Sequence, residues 1–162
     1  MIRNKKPALL LTLLLAACAA SPAESSGAPT PNTAAVHPVS GLQVVPLRVT
    51  SGTKVHTFRV EVARTSQEQE IGLMFRKAMG RDEGMIFPMK PPRGAAFWMK
   101  NTVIPLDIIF VGADGRITNI AANAVPYSLQ PLESTGLVKG VLELNGGRAA
   151  QLGIAAGDRV DW

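Results

Sequence analysis

The sequence predicts a mostly β domain, β-rich α+β in class: an antiparallel sandwich or open barrel of about eight short strands with two short helices. Three observations carry that expectation. Residues 54–63 alternate, with Phe58, Val60 and Val62 set against Arg59 and Glu61, which is the period of a strand with one face in a core. Asp114-Gly115 is a turn signal between two apolar stretches, 104–112 and 116–122, and so predicts a hairpin. Residues 97–111 form the longest nearly apolar run outside the N-terminus, yet Lys100, Asn101 and Asp107 stand within it.

The elements follow in order. Residues 44–50 and 54–63 read as strands split by Ser51-Gly52. Thr65-Ser66-Gln67-Glu68 is a capping box, with Thr65 as N-cap and Glu68 at N3, and predicts a helix over 66–76. Gly72 falls inside that helix at a cost of about 1 kcal/mol relative to Ala, so close packing is expected there. Residues 84–89 read as a short strand, 91–94 as a stiff Pro-rich loop, and 95–102 as a strand. After the hairpin, 127–136 reads as a loop and 138–144 as a strand. Residues 148–152 read as a short helix, with Asn145 near its start and Gly153 as its stop. Gly157-Asp158 then turns the chain into a last strand, 159–162.

The 162 residues divide into three parts. Residues 1–18 read as a secretory signal: Arg3, Lys5 and Lys6 precede a short apolar run from Ala8 to Leu15. That run is shorter than the about 20 apolar residues a spanning helix needs. Leu15-Ala16-Ala17-Cys18 resembles a bacterial lipobox, which implies cleavage before Cys18 and its acylation with palmitate. By resemblance to enterobacterial lipoproteins, Ala19 in place of Asp favours the outer membrane of a Gram-negative host. Residues 19–42 are Ala, Ser, Pro, Thr and Gly with hardly any charge, and are expected to be a disordered tether. The folded domain is expected over 43–162, long enough for one core.

The inventory excludes several functions. Net charge is +5 for the whole chain but only +2 once the three N-terminal cations are set aside, and no basic stripe suggests nucleic acid. Cys18 is the only cysteine, so no intramolecular disulfide and no Cys–His nucleophile pair exists within the domain. The expected domain holds one histidine, His56, which shares a strand face with Phe58 and reads as filler; a His/Cys zinc site is excluded. No cofactor is expected.

Several ordered motifs resemble one family. Gly72-Leu73-Met74-Phe75-Arg76, Gly84-Met85-Ile86-Phe87, Phe97-Trp98-Met99-Lys100-Asn101-Thr102, Ile104-Pro105-Leu106-Asp107-Ile108-Ile109-Phe110, Val141-Leu142-Glu143-Leu144 and Gly153-Ile154 before Gly157-Asp158 resemble the DUF192 (UPF0127) family. The resemblance spans roughly 55–162. It implies a β-rich, sandwich-like fold with small helices; the family's name itself marks a function not established.

The candidate binding cleft is built from Arg76, Trp98, Lys100, Asn101 and Asp107. A charge in an apolar strand needs a partner or a cavity, and Lys100 and Arg76 are the cations with motif context to reach Asp107. Three readings stay open: a structural ion pair, a polar floor in a ligand cleft, and acid/base chemistry by the Asp/Lys pair. Five of the six methionines, Met74, Met79, Met85, Met89 and Met99, fall close together. They read as core filler, with Cu(I) binding as a remote alternative. The expected function is a binding or accessory module of the cell envelope. It would be held to the membrane by its N-terminal lipid and would take a small molecule, a glycan or an envelope protein. The alternative is a hydrolase or transferase using Asp107 and Lys100.

Overall fold

The computed structural model describes Met1 and residues 35–162; the signal and lipidation expectations, Cys18 included, lie outside the described residues. Nine strands and two helices occur among them. The first hairpin is β1 (Val44–Ser51) and β2 (Lys54–Val62), turned by Gly52 at φ 57°. The segment 36–42, expected in the tether, instead builds onto the domain. Val36 bridges Gln43, and Ser40 Oγ donates to the Glu61 carboxylate.

Helix α1 (Ser66–Ile71) opens on the expected capping box: Glu68 N donates to Thr65 Oγ1 at 3.1 Å, and Thr65 N donates to Glu68 Oε2 at 2.8 Å. The Thr65 and Arg64 backbone N–H groups hold the Glu68 carboxyl below its usual range. The helix is shorter than expected. Gly72 adopts φ 47° and ψ −130° and ends it, so this glycine is a cap and not an interior residue. A Cβ at Gly72 would stand 3.3 Å from the Phe87 ring, so the close packing is with Phe87.

Strand β3 (Glu83–Arg93) is longer than expected and runs through Pro88, Pro91 and Pro92. Its register against the next partner shifts between Pro88 and Arg93, where proline lacks the N–H a ladder needs. The expected strand 95–102 reduces to β4 (Ala96–Phe97). The rest turns over the core: Thr102 N donates to the Met99 carbonyl, and Asn101 sits at φ 56°. β5 (Leu106–Gly112) is buried throughout and pairs with β6 (Ile117–Ala124) across the Asp114-Gly115 turn. β7 (Leu132–Glu133) forms a two-stranded sheet with β4 inside the expected loop. β8 (Val138–Asn145), α2 (Arg148–Leu152) and β9 (Arg159–Asp161) complete the chain, with Gly153 at φ 73° stopping α2 as expected.

The main sheet has the order β6-β5-β8-β3-β2-β1-β9. Every pairing is antiparallel except β2 with β3, so the sheet is mixed. It rolls until its edges meet at a single bridge, Arg116 to Arg159, without a ladder that closes it. Each face carries a core. Phe58, Ile86, Ile109 and Leu142 lie in the first. Met85, Phe87, Phe110 and Val141 lie in the second, which the 95–105 segment covers.

Candidate functional site

Strand β8 is central, and its alternation sends Leu142 and Leu144 to the first core and Val141 to the second. Glu143 follows Val141 into that second face. Its Cα partners are Met85 on β3 and Ile108 on β5, both apolar. Glu143 is 5% exposed. Among the described residues no hydrogen bond or ion pair reaches its carboxyl, and burial alone pushes its pKa up to about 8. Gly84 fixes how near β3 lies: a Cβ there would stand 2.4 Å from the Glu143 carbonyl oxygen, so only glycine fits.

Glu143 lines a cleft of about 460 Å³. Ser66, Gln69 and Glu70 of α1 form one wall with Gly72, Leu73 and Met74 behind them. Phe87, Met89 and Arg93 of β3 form a second. Ala95, Ala96, Phe97, Trp98 and Thr102 form the third. Gln69 ties the first wall to the second, since its Nε2 donates to the carbonyls of Ala63 and Pro88 at 3.1 and 3.0 Å. Phe97 meets Phe87 edge to face, ring centroids 5.0 Å apart. The lining thus mixes aromatic and thioether groups (Phe87, Phe97, Trp98, Met74, Met89) with polar side chains (Ser66, Gln69, Glu70, Arg93, Thr102), and Glu143 is its one buried ionisable group among the described residues.

The five residues expected in the cleft are placed apart. Trp98 lines it and is half exposed. Lys100 is exposed and lies over the Trp98 ring, its Nζ 5.2 Å from the centroid. Asn101 Nδ2 donates to Met74 Sδ at 3.8 Å. Arg76 grips Glu61 with both guanidinium nitrogens, at 2.8 and 3.0 Å. Asp107 is fully buried and makes no ion pair among the described residues. Asn123 N and Gly147 N donate to its Oδ1 at 2.7 and 2.9 Å, and Ala149 N donates to its Oδ2 at 2.8 Å. The expected Asp107 pairing with Lys100 or Arg76 is therefore corrected: backbone N–H groups neutralise the charge, and Glu61 takes the Arg76 guanidinium.

Of the methionines, Met74 and Met89 reach the cleft, Met85 and Met99 are buried in the second core, and Met79 packs on it. No group of three or more His, Cys, Asp or Glu gathers among the described residues. His56 does not line the cleft, and its buried Nε2 has no partner among the described residues. Glu143 was not among the sequence candidates. Its signal was a carboxylate inside the apolar strand Val141-Leu142-Glu143-Leu144, the same kind of signal that singled out Asp107.

Comparison with known proteins adds the family. The chain is similar to a protein of unknown function from Novosphingobium aromaticivorans, with 63% identity, 80% of this chain and 92% of that one covered, and a TM-score of 0.78. It is also similar to a protein from Sinorhizobium meliloti titled a "putative transcription regulator", with 39% identity, 74% of this chain and 94% of that one covered, and a TM-score of 0.72. No curated protein matches it. A sequence model of DUF192, described as "Uncharacterized ACR", matches residues 47–162, the whole of the rolled sheet but the first three residues of β1, and the chain belongs to that family.

Proposed function

We propose that the domain is a binding module whose cleft holds a small molecule with an apolar body and one polar head, the head meeting Glu143. The observation that carries this reading is an unpaired carboxyl, buried at the lining of an aromatic cleft with its pKa raised. A structural acid would be closed on a partner, as Asp107 is. A hydrolase or transferase using Asp107 with Lys100 loses its support, since Asp107 is engaged by three N–H groups and Lys100 is exposed on Trp98. The lipobox-like run ending at Cys18 supports a lipid-anchored protein of the cell envelope, with the membrane as its partner through that lipid and no nucleic acid partner.

The test is an NMR screen of small aromatic and aliphatic probes against the full chain. Shifts should concentrate at the Gly72 amide, the Trp98 indole and the Phe97 ring. If every probe leaves those signals unmoved, the cleft is not a ligand site.

A further inference from the structure

We infer that the cleft takes a primary organic ammonium, with the Glu143 carboxylate as its counter-ion and the aromatic rings of Phe97 and Trp98 against its apolar body; this rests on the reading of the cleft as a small-molecule site.

The lining is electron-rich. Its interior offers a carboxyl from Glu143, aromatic rings from Phe87 and Phe97, and thioether sulfurs from Met74 and Met89. Carboxylates and ring faces attract cations, and a thioether sulfur is a weak acceptor. The Trp98 ring already takes an ammonium, that of Lys100. The one cation in the lining among the described residues, Arg93, is exposed and is directed to Gln69 Oε1 at 3.5 Å. So the cleft presents an acid without its base. A buried carboxylate gains most from a partner that brings a positive charge and N–H donors together.

Binding is then coupled to a proton. The free carboxyl is held protonated by burial near neutral pH. When the ammonium enters, the carboxyl ionises, its proton leaves to solvent, and the ion pair forms in place. Affinity therefore rises with pH until Glu143 is ionised in the free protein, and falls once the ligand loses its own proton. The other charged groups facing the cleft are Glu70 on α1 and Arg93 on β3, both exposed; the flanking strand neighbours Met85 and Ile108 are neutral.

Benzylammonium and its neutral counterpart benzyl alcohol are the probes, titrated calorimetrically into the full chain at pH 7 in two buffers of different ionisation enthalpy. Benzylammonium should bind with release of nearly one proton, and benzyl alcohol should bind without proton release and at least about tenfold more weakly. Glu143→Gln should lower benzylammonium affinity by about 10- to 100-fold and abolish the proton release. Proton release is read on the native chain and does not depend on the variant folding. Equal binding of the two probes, or benzylammonium binding without proton release, overturns the ammonium assignment while the cleft remains a ligand site. Binding of neither probe, with the Trp98 and Phe97 signals unmoved, overturns both.

Discussion

The Asp107 carboxylate accepts the backbone N–H of Ala149 at 2.8 Å, joining residues 42 positions apart in the chain. The same carboxylate takes the N–H groups of Gly147 and Asn123. Gly147 is the N-cap of α2 and has no side chain to satisfy the orphan donors at the helix start. Asp107 does that from β5, and it also holds Asn123 at φ 51° where the β5–β6 register shifts. Asp107→Asn turns one acceptor oxygen into a donor that faces N–H groups. It should cost about 3 kcal/mol and lower the melting temperature by roughly 10 °C. Because neither Lys100 nor Arg76 is among the donors to Asp107, the doubles with Lys100→Met and with Arg76→Met should be additive within about 0.5 kcal/mol. Thermal melts of the singles and doubles check this, and coupling beyond that margin would contradict the backbone assignment.

Arg76 and Glu61 form the buried ion pair of the second prediction, their side chains 10% and 4% exposed. Glu61 also holds the 36–42 segment, through Ser40 and through His37, whose Nδ1 lies 3.7 Å away. Removing one partner leaves the other charge buried, at a cost of about 3–5 kcal/mol for Arg76→Met. Arg76→Met with Glu61→Gln should be more stable than Arg76→Met alone. Hydrogen exchange should speed up over 37–44 in Glu61→Ala, which removes the carboxylate that Ser40 and His37 contact. Unchanged exchange there would mean that Glu61 does not retain this segment.

Much of the fold was legible because its signals are local. The capping box at Thr65, the Asp114-Gly115 hairpin and the alternation of 54–62 each depend on residues a few positions apart. What was not legible depends on distant contacts. The apolar run 97–104 reads as strand, but it is apolar because it covers the second core, and the chain turns at Asn101. Gly72 reads as a helix interior until Phe87 is known to lie against it. The site shows the same limit. Asp107 and Glu143 are both carboxylates in buried strands, and local sequence does not separate them. The donors that settle Asp107 come 16, 40 and 42 residues later, whereas none meets Glu143 among the described residues.

The N-terminal proposal has its own measurement. If Cys18 is the acylated residue, metabolic palmitate label should be lost in Cys18→Ser, and the precursor should stay uncleaved. Persistence of label in Cys18→Ser would remove the lipid anchor from the proposed function and leave the cleft untouched.

Glu143 makes the protein's stability depend on pH in a defined direction. Its carboxyl has an ordinary pKa of 4.5 and burial raises it to about 8 in the fold, so the native state binds the proton more tightly than the unfolded chain. The native state keeps the proton between those two values while the unfolded chain has lost it. Stability therefore falls as pH rises through that window, by about 1.4 kcal/mol per pH unit at most. The stabilising contribution is fully present below pH 4.5 and gone above about pH 8. Glu143→Gln has no proton to lose, so its stability should lack this slope. The variant's advantage over the native chain should widen from pH 5 to pH 8 and level off above it. A stabilised Glu143→Gln with weakened ammonium binding is therefore the expected pattern. Urea titrations of the two proteins at pH 5, 6, 7 and 8 decide it. Parallel stability curves would mean that Glu143 is paired or solvated in solution, and the cleft would lose the group on which its ligand depends.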